Sequence, residues 1–174
     1  DTVVVLGLGV TGLMHVQLAK TRLSKTVIGI SRNPYKRNVA LALGADYAFA
    51  HGDKAEKAVL DITDGVGADI VIESVGYLAL LGEAIVLARP GGKIVPFGVY
   101  PSEKVELPFY DFYFKELQIL NVRAAKGRDF TECIELVSEG KLDLDSLITH
   151  TLPYTELNNA IRMLMEPSDE RLKV

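Results

Sequence analysis

Three glycines in the pattern G-x-G-x-x-G, Gly7-Leu8-Gly9-Val10-Thr11-Gly12, stand directly behind the apolar run Thr2–Leu6 and ahead of an amphipathic stretch. This is the turn that carries a buried strand into a helix and receives the pyrophosphate of a dinucleotide. The chemistry asks for glycine at each place. The first permits the tight turn, the second lets the backbone approach the phosphates without a Cβ in the way, and the third lets helix and strand pack closely. Freed N–H groups and the positive end of the helix dipole then face the anion. A glycine-rich turn can also be purely structural, but at a strand-to-helix junction this one points to a bound dinucleotide, with Gly7, Gly9, Val10, Thr11 and Gly12 as its phosphate-binding residues.

The residue ending the second apolar run bears on which dinucleotide that is. An NAD fingerprint places Asp or Glu about 20 residues beyond the glycines, where it accepts from the ribose hydroxyls. Here Val27-Ile28-Gly29-Ile30 ends instead at Ser31, followed by Arg32, Asn33 and, one turn on, Lys36 and Arg37. Without the carboxylate there is no repulsion against a 2′-phosphate, and an arginine can pair with that phosphate bidentately. Ser31, Arg32, Asn33 and Lys36 are therefore read as the adenosine-ribose contacts, and NADP is favoured over NAD. The bland alternative is that the basic residues form a solvated helix face.

Elements must hold these residues together. Apolar, β-branched runs predict strands at about 2–6, 26–30, 46–50, 69–73, 92–98 and 117–122. Helices are expected over roughly 12–23, 34–43, 54–62, 78–88, 129–138 and 154–165, and in the first of these Leu13, Val16, Ala19 and Leu23 recur at helical spacing. Asp64-Gly65-Val66-Gly67 and Arg89-Pro90-Gly91-Gly92 read as turns before the fourth and fifth strands. Near-continuous apolar strands such as Ile70-Val71-Ile72 suit a parallel sheet covered on both faces. The expected fold class is α/β: a doubly wound Rossmann fold, with a six-stranded parallel sheet in the order 3-2-1-4-5-6 and helices on both faces. Ligand then lies outside the carboxyl ends of the strands, at the switch between strands one and four. That rule adds Ser74, Val75 and Gly76 after strand four, Phe97, Gly98 and Val99 after strand five, and Arg123 after strand six. Singly, Gly76 and Gly98 could be ordinary strand-end turns.

Composition narrows the classes. The chain has 174 residues, enough for one domain with a real core, and a net charge of −4, which argues against nucleic acid or an anionic membrane as partner. No apolar run reaches the ~18 residues of a membrane span, and no signal-peptide pattern opens the chain. Its one cysteine cannot make an internal disulfide, which suits a cytoplasmic location. The abrupt start on a strand suggests a cofactor-binding domain, residues 1–174, cut from a larger protein.

Together these segments resemble the cofactor domain of the medium-chain dehydrogenase/reductase family, the zinc-type alcohol dehydrogenases. The resemblance is carried by Val4-Val5-Leu6-Gly7-Leu8-Gly9-Val10-Thr11-Gly12, Leu43-Gly44-Ala45-Asp46, Asp64 through Glu73, and Arg89-Pro90-Gly91-Gly92-Lys93-Ile94-Val95, and extends over essentially the whole chain. The stretch Leu147-Ile148-Thr149-His150-Thr151-Leu152-Pro153 and the helix after it look most like the polyol and threonine dehydrogenase branch, which puts the match of Arg123 near the nicotinamide. The resemblance implies an enzyme moving hydride between NAD(P) and an alcohol or carbonyl, whose N-terminal catalytic domain holds zinc and most of the substrate pocket. Zinc there would polarise the alcohol oxygen and lower its pKa.

That catalytic domain is not in this sequence. Cys133 shares a helix face with Phe130, Ile134 and Val137 and reads as core packing rather than a metal ligand. His15 stands on the first turn after the glycines, near the phosphates or in a surface or packing role; His51 and His150 are taken as structural. No residue here is expected to be catalytic, so the chain alone should bind cofactor and do little chemistry. Two alternatives stand beside the dehydrogenase: a zinc-free quinone reductase of the same family, and a non-catalytic dinucleotide-binding module. Alternation in Val105-Glu106-Leu107 predicts a short edge strand through which two copies pair, giving a homodimer or tetramer, although Pro101 and Pro108 could equally defend that edge.

Overall fold

The computed structural model describes residues 1–22, 24–101, 104–166 and 170–174. Strands β1 (Thr2–Leu6), β2 (Thr26–Ile30), β3 (Tyr47–Phe49), β4 (Ala68–Glu73), β5 (Ala88–Pro96) and β6 (Gln118–Ile119) form one parallel sheet in the order β3-β2-β1-β4-β5-β6. This is the expected doubly wound order, with the switch between β1 and β4, where Leu6 lies opposite Glu73. Helices α1 (Val10–Thr21), α2 (Pro34–Ala42), α3 (Asp53–Ile62), α4 (Leu78–Leu87), α5 (Phe109–Phe114), α6 (Gly127–Ser138) and α7 (Leu157–Met165) connect or follow the strands.

The alternating faces of the central strands explain the layers. Val4, Leu6, Ile28, Ile30, Val71 and Ile94 pack with Ala55 and Val59 of α3 and Ala84, Ile85 and Leu87 of α4. Val3, Val5 and Val27 pack on the opposite face with Leu13, Val16 and Ala19 of α1 and Ala40 of α2. Each fully buried aliphatic side chain contributes about 1.5–3 kcal/mol against exposure, so the central strands supply most of the cohesion. Local signals agree with the elements. Asn33 caps α2, its side-chain oxygen accepting the Lys36 N–H at 3.2 Å, and Pro34 supplies a preset first helical φ.

Several expectations need correction. Arg89–Gly92 is not a turn ahead of a strand: β5 begins at Ala88 and passes through it with a shift of register between Ala68 and Ile70 on β4. The sixth strand is two residues long rather than six, because only Gln118 and Ile119 find partners on β5. Val105–Leu107 is not a strand, and α5 follows it where no helix was foreseen. The last helix is preceded by a tight 3-10 turn at Tyr154–Glu156. Cys133 is exposed, as are Phe130, Ile134 and Val137, so their shared face of α6 is not core within this chain. Leu23 lies outside the described residues. The α6 region is instead tethered to α1 by the Arg22–Glu132 ion pair and by Gln17, whose side chain donates to the Asp143 carbonyl at 3.0 Å and accepts its N–H at 2.6 Å.

Candidate functional site

A cleft of about 1120 Å3 runs along the carboxyl edge of the sheet across the β1–β4 switch. Of the expected residues, Gly7, Gly9, Ser31, Arg32, Asn33, Lys36, Ser74 and Val75 line it, joined by Leu8, Pro34, His51, Tyr77 and Leu80. Val10, Thr11 and Gly12 form the first turn of α1 beneath it, and Gly76, Phe97, Gly98 and Val99 form the turns behind its β4–β5 wall. Arg123 lies in the exposed segment after β6 and does not line the cleft.

The three glycines of the turn meet different surroundings. Gly7 has φ +90°, a left-handed conformation that favours glycine, and a Cβ there would overlap Val75 Cγ2. At Gly9, the residue before α1, an added Cβ would meet nothing within 4 Å. At Gly12 a Cβ would overlap the Gly7 carbonyl oxygen. The open position is therefore the one at the mouth of the helix, where unpaired N–H groups and the helix dipole attract an anion. A dinucleotide fits this arrangement: space at Gly9 for the phosphates, and a long cleft on both sides for the two nucleosides.

On the β2 side, Ser31 is buried and its backbone N–H donates to the Phe49 carbonyl at 3.0 Å. Its hydroxyl accepts the Asn33 N–H at 3.3 Å. The guanidinium of Arg37 donates to the carbonyls of Ser31 and Arg32 at 2.8 and 2.9 Å, which shapes the turn. Arg32 and Lys36 are thus the basic side chains that face the cleft. His51, expected as structural, lines the same end, its Nδ1 3.0 Å from Glu83 Oε2. It follows β3 at the carboxyl edge, so the strand-end rule applied to the other strands would have found it.

On the β4 side, His15 Nδ1 is 2.9 Å from Ser74 Oγ, and its ring meets Phe97 edge-on at 4.6 Å between centroids. Burial holds this imidazole below its ordinary pKa. His15 therefore packs between the helix and the two strand-end turns. Glu73, missed in the sequence, is wholly buried at the end of β4. The available signal was a carboxylate closing the apolar run Ile70-Val71-Ile72. His150 bonds its neighbour Thr149 at 2.9 Å, consistent with a structural place.

Among the described residues no group of three or more His, Cys, Asp or Glu could hold a metal ion. No helix among the described residues is long and apolar enough to cross a membrane.

Comparison with known proteins agrees with the architecture. Residues 10–139 match the family described as zinc-binding dehydrogenase. Sorbitol dehydrogenase of Halalkalibacterium halodurans is 30% identical over 176 residues, covering 100% of this chain and 51% of that protein. A protein from E. coli CFT073 described as a short chain alcohol dehydrogenase, solved with NADH, superposes with a TM-score of 0.88 at 29% identity, covering 98% of this chain and 50% of the other. A protein from Sinorhizobium meliloti 1021, solved bound to NADP, gives a TM-score of 0.83 at 32% identity, covering 97% and 49%. The chain thus spans about half the length of the curated relatives it matches. With the fold, the glycine turn and these matches in agreement, the chain belongs to the zinc-binding dehydrogenase family.

Proposed function

We propose that this chain is the cofactor-binding half of a two-domain NAD(P)-dependent alcohol or polyol dehydrogenase. The observation that carries the reading is the open position at Gly9, at the N-terminus of α1 and midway along a cleft that spans the β1–β4 switch. The pyrophosphate lies there, the adenosine half runs towards Ser31, Arg32, Asn33 and Lys36, and the nicotinamide half runs towards Ser74 and Val75. Bound nicotinamide supplies the hydride acceptor or donor. The chain's own residues hold and orient it, and the other half of the protein brings substrate and zinc. Arg123, Gly76, Phe97, Gly98 and Val99 are assigned to the nicotinamide end in this reading.

NADP is the preferred cofactor in this reading. Ser31 offers no carboxylate to repel a 2′-phosphate, and Arg32 and Lys36 face the cleft beside it. The protein is cytoplasmic and assembles as a homodimer or tetramer through this domain, by a surface other than a Val105–Leu107 strand. Calorimetric titration with NADP, NAD and AMP tests the core of the reading. Tight binding of either dinucleotide, with NADP the stronger, is expected; no binding of either would refute it. For the whole protein, dinucleotide reduction by sorbitol or another polyol tests the substrate class.

A further inference from the structure

Glu73, wholly buried, has no part in the reading above, yet both strand-end turns of the β4–β5 wall are bonded to it. Its Oε1 accepts the Val75 N–H at 2.9 Å, its Oε2 accepts the Gly76 N–H at 3.0 Å, and the Tyr100 hydroxyl donates to Oε2 at 2.5 Å. The Glu73 carbonyl accepts the N–H groups of Phe97 and Gly98 at 2.8 and 3.0 Å. One residue therefore binds its own turn through its side chain and the next turn through its backbone, and Tyr100 closes the loop between them. Among the described residues the partners of the side-chain oxygens are two backbone N–H groups and one phenol. A carboxylate buried this deeply is tolerated only when its oxygens are satisfied.

The fastening reaches the cleft through close packing. Gly76 has φ +84°, and a Cβ on it would overlap the Val99 carbonyl oxygen; a Cβ on Gly98 would overlap the Gly76 nitrogen. The two turns are stacked without slack. Val75, held by Glu73, exposes half its surface and lines the cleft, and its Cγ2 occupies the space a side chain on Gly7 would need. The carboxylate thereby sets where Val75 stands in the cleft wall beside Gly7.

We infer that Glu73 and Tyr100 are positioning residues for the nicotinamide half of the dinucleotide, holding the Val75–Gly76 turn against the glycine turn. This rests on the cofactor reading, in which the β4–β6 half of a doubly wound sheet receives the nicotinamide nucleoside. The adenosine half sits on β1–β2 and makes no use of the latch. Burial and the adjacent carboxylate push the Tyr100 phenol well above its ordinary pKa, so its proton stays in place to donate.

The test compares ligands that differ only in the nicotinamide: NAD against ADP-ribose, and NADP against ADP-ribose 2′-phosphate, in the whole protein. Tyr100→Phe removes one hydrogen bond to a charged acceptor, and the preferred dinucleotide should bind about tenfold more weakly while the ligand lacking nicotinamide changes less than about twofold. Glu73→Gln should show the same pattern more strongly; if that variant fails to fold, Tyr100→Phe decides alone. Equal loss on both ligands, or no loss on either, would overturn the positioning role while leaving the cofactor reading intact. Failure of the unsubstituted protein to bind any dinucleotide would overturn both.

Discussion

Gly12 lies against Gly7 so closely that a Cβ on Gly12 would overlap the Gly7 carbonyl oxygen. The two ends of the turn are in contact, while Gly9 between them faces open space. The same motif therefore contains two glycines fixed by close packing, Gly7 and Gly12, and one, Gly9, where an added Cβ would meet nothing within 4 Å. That separation makes the turn's two roles experimentally distinct.

Gly9→Val should abolish dinucleotide binding and leave the fold intact. The residue has φ −72° and ψ −174°, an extended conformation open to any side chain, and the added branches project only into the space a phosphate would fill. Gly12→Ala should instead destabilise the fold by about 1–3 kcal/mol, the usual cost of forcing extra atoms into a packed interior. Calorimetry with NADP and thermal melting separate the two outcomes. Wild-type affinity in a folded Gly9→Val variant would mean that the phosphates bind elsewhere.

Cofactor choice should move with Ser31 and Arg32. Ser31→Asp combined with Arg32→Ala introduces the carboxylate that ribose hydroxyls prefer and removes a cation that faces the cleft. The NADP-to-NAD preference should swing towards NAD by at least about 1 kcal/mol. An unchanged affinity ratio would refute the assignment. Arg37→Ala is the informative control: its guanidinium is engaged with the carbonyls of Ser31 and Arg32, so it should disturb both cofactors alike.

What was legible in the sequence follows from the range of the interactions involved. The apolar runs of β1 and β2 are buried almost throughout and that of β4 is buried or partly buried along its length, so the strands could be read from residue type. Ser31, Arg32 and Lys36 reach the cleft because they follow β2 within a few residues, a local relationship. Elements whose limits depend on distant partners were misread. β6 pairs only at Gln118 and Ile119 although β5 runs on to Pro96, and Val105–Leu107 alternates without finding a strand to pair with. The helical face that Cys133 shares marks a side that needs cover without showing what covers it. The Glu73 latch joins residues 27 positions apart through a side chain, and no periodicity encodes that.

Acid stability should depend on His15. Burial lowers its folded pKa from the ordinary 6.5, so the native state disfavours the imidazolium while the unfolded chain accepts it freely. The ring's partners among the described residues are the Ser74 hydroxyl, 2.9 Å from Nδ1, and the Phe97 ring, and neither carries a negative charge. With a depressed folded pKa, the contribution is fully present above 6.5 and is lost as pH falls through the folded value. His15→Gln removes the titration, so chemical denaturation across the acid range should show a shallower fall in stability than the unsubstituted chain. Parallel curves for the two proteins would assign the acid loss to carboxylates instead.

Lys115 should carry part of the fold's stability without touching the cleft. Its ammonium donates to the carbonyls of Ile85, Val86 and Ala88 at 3.1, 2.8 and 3.0 Å. The first two belong to the last turn of α4, where carbonyls lack helical partners, and the third opens β5. A single cation thus closes the junction from α4 into β5. Lys115→Met keeps the length of the side chain and deletes the charge, leaving three carbonyls without their donor. The expected loss is about 1.5–3 kcal/mol, the range for removing hydrogen bonds to a charged group, measured by urea denaturation. Affinity for ADP-ribose should stay unchanged, because the adenosine half of the cleft is built on other strands. A loss under about 0.5 kcal/mol would show that water replaces the ammonium at those carbonyls and that the junction is held by apolar packing alone.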